Sequence, residues 1–209
     1  MKKRIFAALS AFALLLTACS TEEGSAFSSE PAASSSSSVS SAESASVSES
    51  ASEAEEHEHY LGDFSAETVT GETVDQTIFA DARLTVINVW ATYCGPCKAE
   101  MPILGEIARE RAGEVQILGI VTDVIDQYGN PDADQVAFAQ EIMDEADVEY
   151  TNLILNQSLA MIGFASLSAV PATLFVDADG NLVGSGFYGS LNEKQWNETI
   201  EERLGMIEE

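Results

Sequence analysis

Two cysteines stand three residues apart in the run Trp90-Ala-Thr-Tyr-Cys94-Gly95-Pro96-Cys97-Lys98. At that spacing on the first turn of a helix the two side chains lie on one side and can close a disulfide. Pro96 suits a first turn, because its missing N–H would have no partner inside the helix. A helix start places Cys94 beside free backbone N–H groups and the positive end of the dipole, both of which favour a thiolate. Lys98 adds a positive charge nearby. Cys94 is therefore the natural nucleophile, and Cys97 the resolving thiol that would attack a mixed disulfide and release the product. Half a zinc site or a structural disulfide is spelled the same way. Zinc would need a second pair of ligands, which a chain with 3 cysteines does not supply. A structural link closing so small a loop would constrain the unfolded chain little. The residues favour redox chemistry.

Several elements must position this pair. Leu84-Thr-Val-Ile-Asn-Val-Trp90 is a nearly continuous β-branched run, which predicts a strand buried on both faces and leading into the motif. Lys98 to Ala112 holds good helix formers, with Met101, Leu104 and Ala108 as apolar members. Val115 to Val121 predicts a second buried strand, and Ala133 to Ala146 an acidic amphipathic helix with Val136, Phe138, Ala139, Ile142 and Met143 on its apolar side. Upstream, Phe64 to Val69 followed by Thr70-Gly71-Glu72-Thr73 predicts a short hairpin. Downstream, Thr173–Val176 and Leu182–Phe187 flank the turn run Asp177-Ala-Asp-Gly180-Asn181, and Asn192 opens a helix to Leu204. This order predicts an α/β domain with a mixed central sheet flanked by helices.

From Tyr60 to Ile207 the chain resembles the thioredoxin superfamily, and within it the extracytoplasmic, membrane-anchored TlpA- and ResA-like thiol–disulfide oxidoreductases. The resemblance is strongest in WATYCGPCKAEMP, residues 90–102, where Pro102 falls at the place of the family's helix kink. It implies a thioredoxin fold with an N-terminal β-hairpin extension and a central helical insertion, here Asp126–Ala146. Val170-Pro171-Ala172-Thr173 is similar to the family's cis-proline loop, which implies that Pro171 faces the dithiol. Trp90, Tyr93, Gly95, Pro96 and Val170 would then meet the substrate. Two departures stand out. Tyr93 replaces the usual tryptophan before the first cysteine, and Asn88 stands where thioredoxins carry a buried aspartate. The ResA-like branch has a glutamate three residues after the second cysteine, and Glu100 matches it. A partly buried carboxylate there would have a raised pKa and could shuttle the proton of Cys97.

The rest of the chain concerns placement. Lys2, Lys3 and Arg4 precede an apolar run of 14 residues, Ile5 to Ala18, which is short of the roughly 20 residues a membrane span needs and suits a signal peptide over 1–18. Leu16-Thr17-Ala18-Cys19 resembles the lipobox of bacterial lipoproteins, which implies lipidation of Cys19 and anchoring to the outer face of the cell membrane. Residues 20–59 are rich in serine, alanine and glutamate, with almost no large apolar side chain. They predict a flexible tether with a root-mean-square reach of roughly 35 Å. His57 and His59 at its end lack further defined ligands, so no metal site is assigned.

Acidic residues number 35 against 9 basic ones, a net charge of −26, which argues against nucleic acid as a partner. The residues and the resemblance together imply a monomeric enzyme with no cofactor beyond the Cys94–Cys97 couple. Its clients would be protein disulfides, of apocytochrome c, methionine sulfoxide reductase or similar exported proteins, and its electrons would come from a membrane thiol donor of the CcdA/DsbD type. Two alternatives keep the fold: an oxidase that inserts disulfides, and a non-catalytic binding module with an acidic face.

Overall fold

The computed structural model describes residues 60–207, all of them within one compact unit. The expected signal peptide, Cys19, the tether and both histidines lie outside the described residues.

The long apolar runs become the centre of the sheet. Strand β3 (Leu84–Trp90) is buried at every position, and so is all of β4 (Val115–Val121) except Gln116. The two run parallel, with Leu84 opposite Val115 and Trp90 opposite Val121. Strand β5 (Asn152–Ile154) extends the parallel side, while β6 (Ala172–Asp177) and β7 (Phe187–Tyr188) run antiparallel on the other, giving the order β5-β4-β3-β6-β7. The upstream hairpin is present as β1 (Ser65–Glu67) paired with β2 (Thr73–Asp75), with Gly71 at a φ of 87° in its turn. A hydrogen bond from Val69 N–H to Asn152 O ties it to the edge strand β5.

Each face of the sheet has its own core. One gathers Leu84, Val86 and Trp90 with α1 (Gly95–Glu110), α2 (Ala133–Glu145) and α4 (Glu193–Ile207). The other gathers Ile87 and Val89 with Phe64 and Ala66 of the hairpin region, Phe79, and the short α3 (Gln157–Met161). The alternation of β3 side chains between the two cores follows from the two-residue period of a strand. An α/β thioredoxin fold with the mixed sheet, the N-terminal hairpin and the inserted helix is thus present.

Several boundaries differ from the sequence expectations. Helix α1 begins at Gly95, with the dithiol in the cap and first turn as the motif's spacing predicts, but it ends at Glu110, short of Ala112. The strand expected over Leu182–Phe187 shrinks to β7, with Leu182 making only an isolated bridge to Val176. Gly184 and Gly186 interrupt it, the former at a φ of 66°, where a strand's extended backbone cannot continue. Phe138 was expected on the apolar side of α2 but is 46% exposed. The helix buries Ala139, Ile142 and Met143 instead, because the stripe that fits a 3.6-residue turn passes one position away.

Candidate active site

Cys94 is the N-cap of α1, and its Sγ accepts the backbone N–H of Cys97 at 3.2 Å. Gly95 and Pro96 fill the first turn, and both are exposed. Cys94 and Cys97 are joined in a disulfide with their Cα atoms 5.3 Å apart. Cys94 retains 5% exposure at the surface while Cys97 has none. This asymmetry suits an attacking sulfur at the rim and a resolving sulfur beneath it. Tyr93, 75% exposed, stands beside the pair.

The turn into the helix is pinned from the neighbouring strand. Thr92 donates its backbone N–H and its hydroxyl to Asp123, just beyond β4, and Thr122 donates to the carbonyl of Trp90. Pro171 is buried and its peptide with Val170 is cis. The antiparallel register pairs Val89 with Ala172, so Pro171 comes level with Trp90 at the end of β3 from which the cysteine turn departs. Its carbonyl accepts from Gly189 N–H at 2.9 Å, and Val170 packs against both cores.

Trp90 does not belong to the substrate surface. It is fully buried, and its Nε1 donates to Asn152 Oδ1 at 2.8 Å. The alternation of β3 turns this side chain into the core under α1, where an indole N–H needs an internal acceptor.

Glu100 lies three residues beyond Cys97 on the same buried face of α1, which also carries Met101, Leu104 and Ile107. It is 1% exposed. Its Oε1 accepts from Asn88 Nδ2 at 3.0 Å and its Oε2 from the backbone N–H of Leu191 at 3.1 Å. Burial raises its pKa above the ordinary carboxylate value. The donors Asn88 and Leu191 and the nearby Trp196 indole pull the other way without cancelling the rise. A buried carboxyl of raised pKa keeps its proton at pH values where a free carboxyl has lost it, and can take one up and give it back.

Asn88 thus occupies the aspartate's place as a donor to Glu100, a role that residue spacing does not show. Asn152, Gly119, Asn88 and Thr173 fall opposite one another across β5, β4, β3 and β6. They make a polar row through the sheet beneath the dithiol helix. A Cβ on Gly119 would fall only 1.8 Å from Asn152 Oδ1. The bare glycine makes room for the acceptor of Trp90. Only strand register reveals this row. Asp123 likewise follows the strand end without a motif of its own.

Among the described residues no group of three or more histidine, cysteine or acidic side chains is placed to hold a metal ion.

The Redoxin family model matches residues 56–198, well over half of the chain. The chain belongs to the Redoxin family. The thiol:disulfide interchange protein DsbE of Vibrio cholerae is 29% identical over 138 residues, which is 62% of each chain. A thioredoxin of Mycolicibacterium smegmatis is 32% identical over 62 residues, covering 30% of this chain and 55% of that one. The chain thus spans less than two thirds of these curated relatives. Among solved structures, a thioredoxin-family thiol:disulfide interchange protein of Chlorobium tepidum superposes with a TM-score of 0.57 at 18% identity, covering 70% of this chain and 96% of that one. The exposed lipoprotein thioredoxin of Streptococcus pneumoniae does so with a TM-score of 0.51 at 21% identity, covering 68% and 99%. Both share the fold.

Proposed function

We propose that this chain is an extracytoplasmic thiol–disulfide oxidoreductase that reduces disulfides in exported proteins. The observation that carries the reading is the Cys94–Cys97 disulfide at the N-terminus of α1, with Cys94 the more exposed of the two and the buried carboxyl of Glu100 three residues beyond Cys97 on the same helix face.

In the reduced form the Cys94 thiolate attacks a client disulfide, forming a bond from Cys94 Sγ to one client sulfur and expelling the other as a thiolate that takes a proton. Cys97 then passes its thiol proton to the Glu100 carboxylate. The resulting thiolate attacks Cys94 Sγ, closes the Cys94–Cys97 disulfide and expels the second client thiolate. The client gains two electrons and the chain is left oxidised. The exposed rim of Tyr93, Gly95 and Pro96, with the Val170–Pro171 loop, would receive the client backbone. Apocytochrome c and methionine sulfoxide reductase are the clients this reading names, and a CcdA/DsbD-type thiol donor would return the chain to its reduced form.

The interchange activity in the name of the Vibrio cholerae relative supports the chemistry. Support for placement comes from the lipobox-like run ending in Cys19, and from the lipoprotein named among the structural neighbours. In this reading residues 1–18 are removed, Cys19 carries the lipid, residues 19–59 form the tether, and 60–207 act as a monomeric redox domain.

Replacing Cys97 with serine should trap clients as mixed disulfides on Cys94 in non-reducing gels. A folded Cys97→Ser chain that accumulates none contradicts the scheme. The reduction potential settles direction: a value near the thioredoxin end, about −270 mV, fits a reductase, and one near −120 mV an oxidase.

A further inference from the structure

We propose that Asn88 is a positioning residue for Glu100, and that its side-chain amide turns end for end when the Glu100 carboxyl gains or loses a proton. This deepens the proposed role of Glu100, on which its use in the reaction rests.

An ionised carboxylate can only accept hydrogen bonds. In the structure both Glu100 oxygens face donors, Asn88 Nδ2 and the Leu191 N–H. That set fits the ionised form. A protonated Glu100 carries an O–H that needs an acceptor, and neither of these donors can serve. Asn88 holds the missing acceptor: its Oδ1 is fully buried and has no hydrogen-bond partner. A half-turn about the Cβ–Cγ–amide axis exchanges Oδ1 for Nδ2 and presents that acceptor to Glu100.

The neighbour on β6 tolerates either orientation. Asn88 Nδ2 lies 3.4 Å from Thr173 Oγ1, and a hydroxyl both accepts and donates. Thr173 accepts from the amide nitrogen in one state and donates to the amide oxygen in the other. The turn places Nδ2 where Oδ1 now stands without a partner, so one unpaired group is exchanged for another. The Glu100 proton decides between the two orientations.

The surroundings leave that decision to Glu100. From β3 it meets the neutral Asn88, which in turn reaches the neutral Thr173 of β6, from the segment before α4 the Leu191 N–H, and from α4 the Trp196 indole. Tyr150, before β5, is the titratable group that senses the Glu100 charge, and burial pushes its hydroxyl above the usual range, so it stays neutral while a carboxyl titrates. Lys98 on α1 is partly exposed, two residues back and off the buried face. In the oxidised chain neither cysteine carries a proton. In the catalytic cycle, the proton that leaves Cys97 would turn the amide, and the turned amide would hold the protonated acid until its proton is released.

The test uses the oxidised full chain, labelled with carbon-13 and nitrogen-15, in an NMR titration. Above the Glu100 midpoint, followed at its carboxyl carbon, the Asn88 side-chain amide protons should show a cross-peak to the Thr173 methyl. Below that midpoint the cross-peak should be lost, with the Asn88 nitrogen shifting at the same pH. A cross-peak that persists through the Glu100 midpoint, or is absent on both sides of it, overturns the proposal. The reaction role is tested separately by Cys97 alkylation in Glu100→Gln. An unchanged pH profile there removes Glu100 from the mechanism and leaves the amide result standing or falling alone.

Discussion

Asp123 holds Thr92 at three points. Both carboxylate oxygens lie 3.0 Å from the Thr92 backbone N, and Oδ2 accepts the Thr92 hydroxyl at 2.6 Å. The chain must reverse between the end of β3 and the start of α1, and this clamp fixes the turn that delivers Cys94. Thr92 is 6% exposed, so removing its acceptor leaves a donor with little access to water. The Asp123→Ala chain should lose about 2 kcal/mol of stability. In urea unfolding, the midpoint should fall with the slope unchanged. An unshifted midpoint would mean that the clamp contributes nothing.

Gly119→Ala should be more damaging than its size suggests. The added methyl would sit 1.8 Å from Asn152 Oδ1 and displace the acceptor of the Trp90 indole. Overpacking together with an orphaned buried N–H predicts a loss of about 2–4 kcal/mol, with altered tryptophan fluorescence. A variant as stable as the parent would show that the sheet has slack at this point.

Glu100 gives the oxidised chain a defined pH dependence. Its folded pKa is raised above the ordinary value of 4.5 by burial. Between the ordinary value and the raised one, the folded chain therefore binds more protons than the unfolded chain. Stability falls as pH rises through that window and is flat above it, as far as this group is concerned. Glu100→Gln should remove this component, so the difference in stability between the two chains should change across the window in the direction stated. Parallel curves from thermal unfolding over the same pH range would contradict it.

The two thiols of the reduced chain should react unequally. Cys94 is at the helix cap with some surface exposure, and Cys97 has none. Iodoacetamide should modify Cys94 on the order of tenfold faster, as mass spectrometry of the digested chain would report. Equal rates would deny the assignment of attacking and resolving sulfur.

Much of this arrangement was legible in residue order. The β-branched runs of β3 and β4 have the boundaries their sequences predict, since a strand buried on both faces shows no competing pattern. Cys94, Cys97 and Glu100 share a helix, so spacing alone relates them. The burial of Glu100 is set by the fold, since its spacing from Cys97 leaves a solvated helix position equally open. Strand β5 is only Asn-Leu-Ile, too short for a periodic signal, and α3 and the turns around it are set by tertiary packing. Trp90 was misread as part of the substrate surface, because an aromatic beside a reactive motif looks the same whether it faces in or out. Asn88 showed in sequence only as a missing aspartate. Its bond to Glu100 and its place in the row with Thr173 exist only once β3 and β6 are in register.

The central claim is that the Cys94–Cys97 couple exchanges electrons with protein disulfides. Insulin reduction with dithiothreitol as the electron source tests it most directly. The native chain should accelerate the precipitation of insulin B chain, and Cys94→Ser should bring the rate back to that of dithiothreitol alone. A folded native chain that adds nothing to the dithiothreitol rate, or a Cys94→Ser chain that is as fast as the native one, would contradict the account.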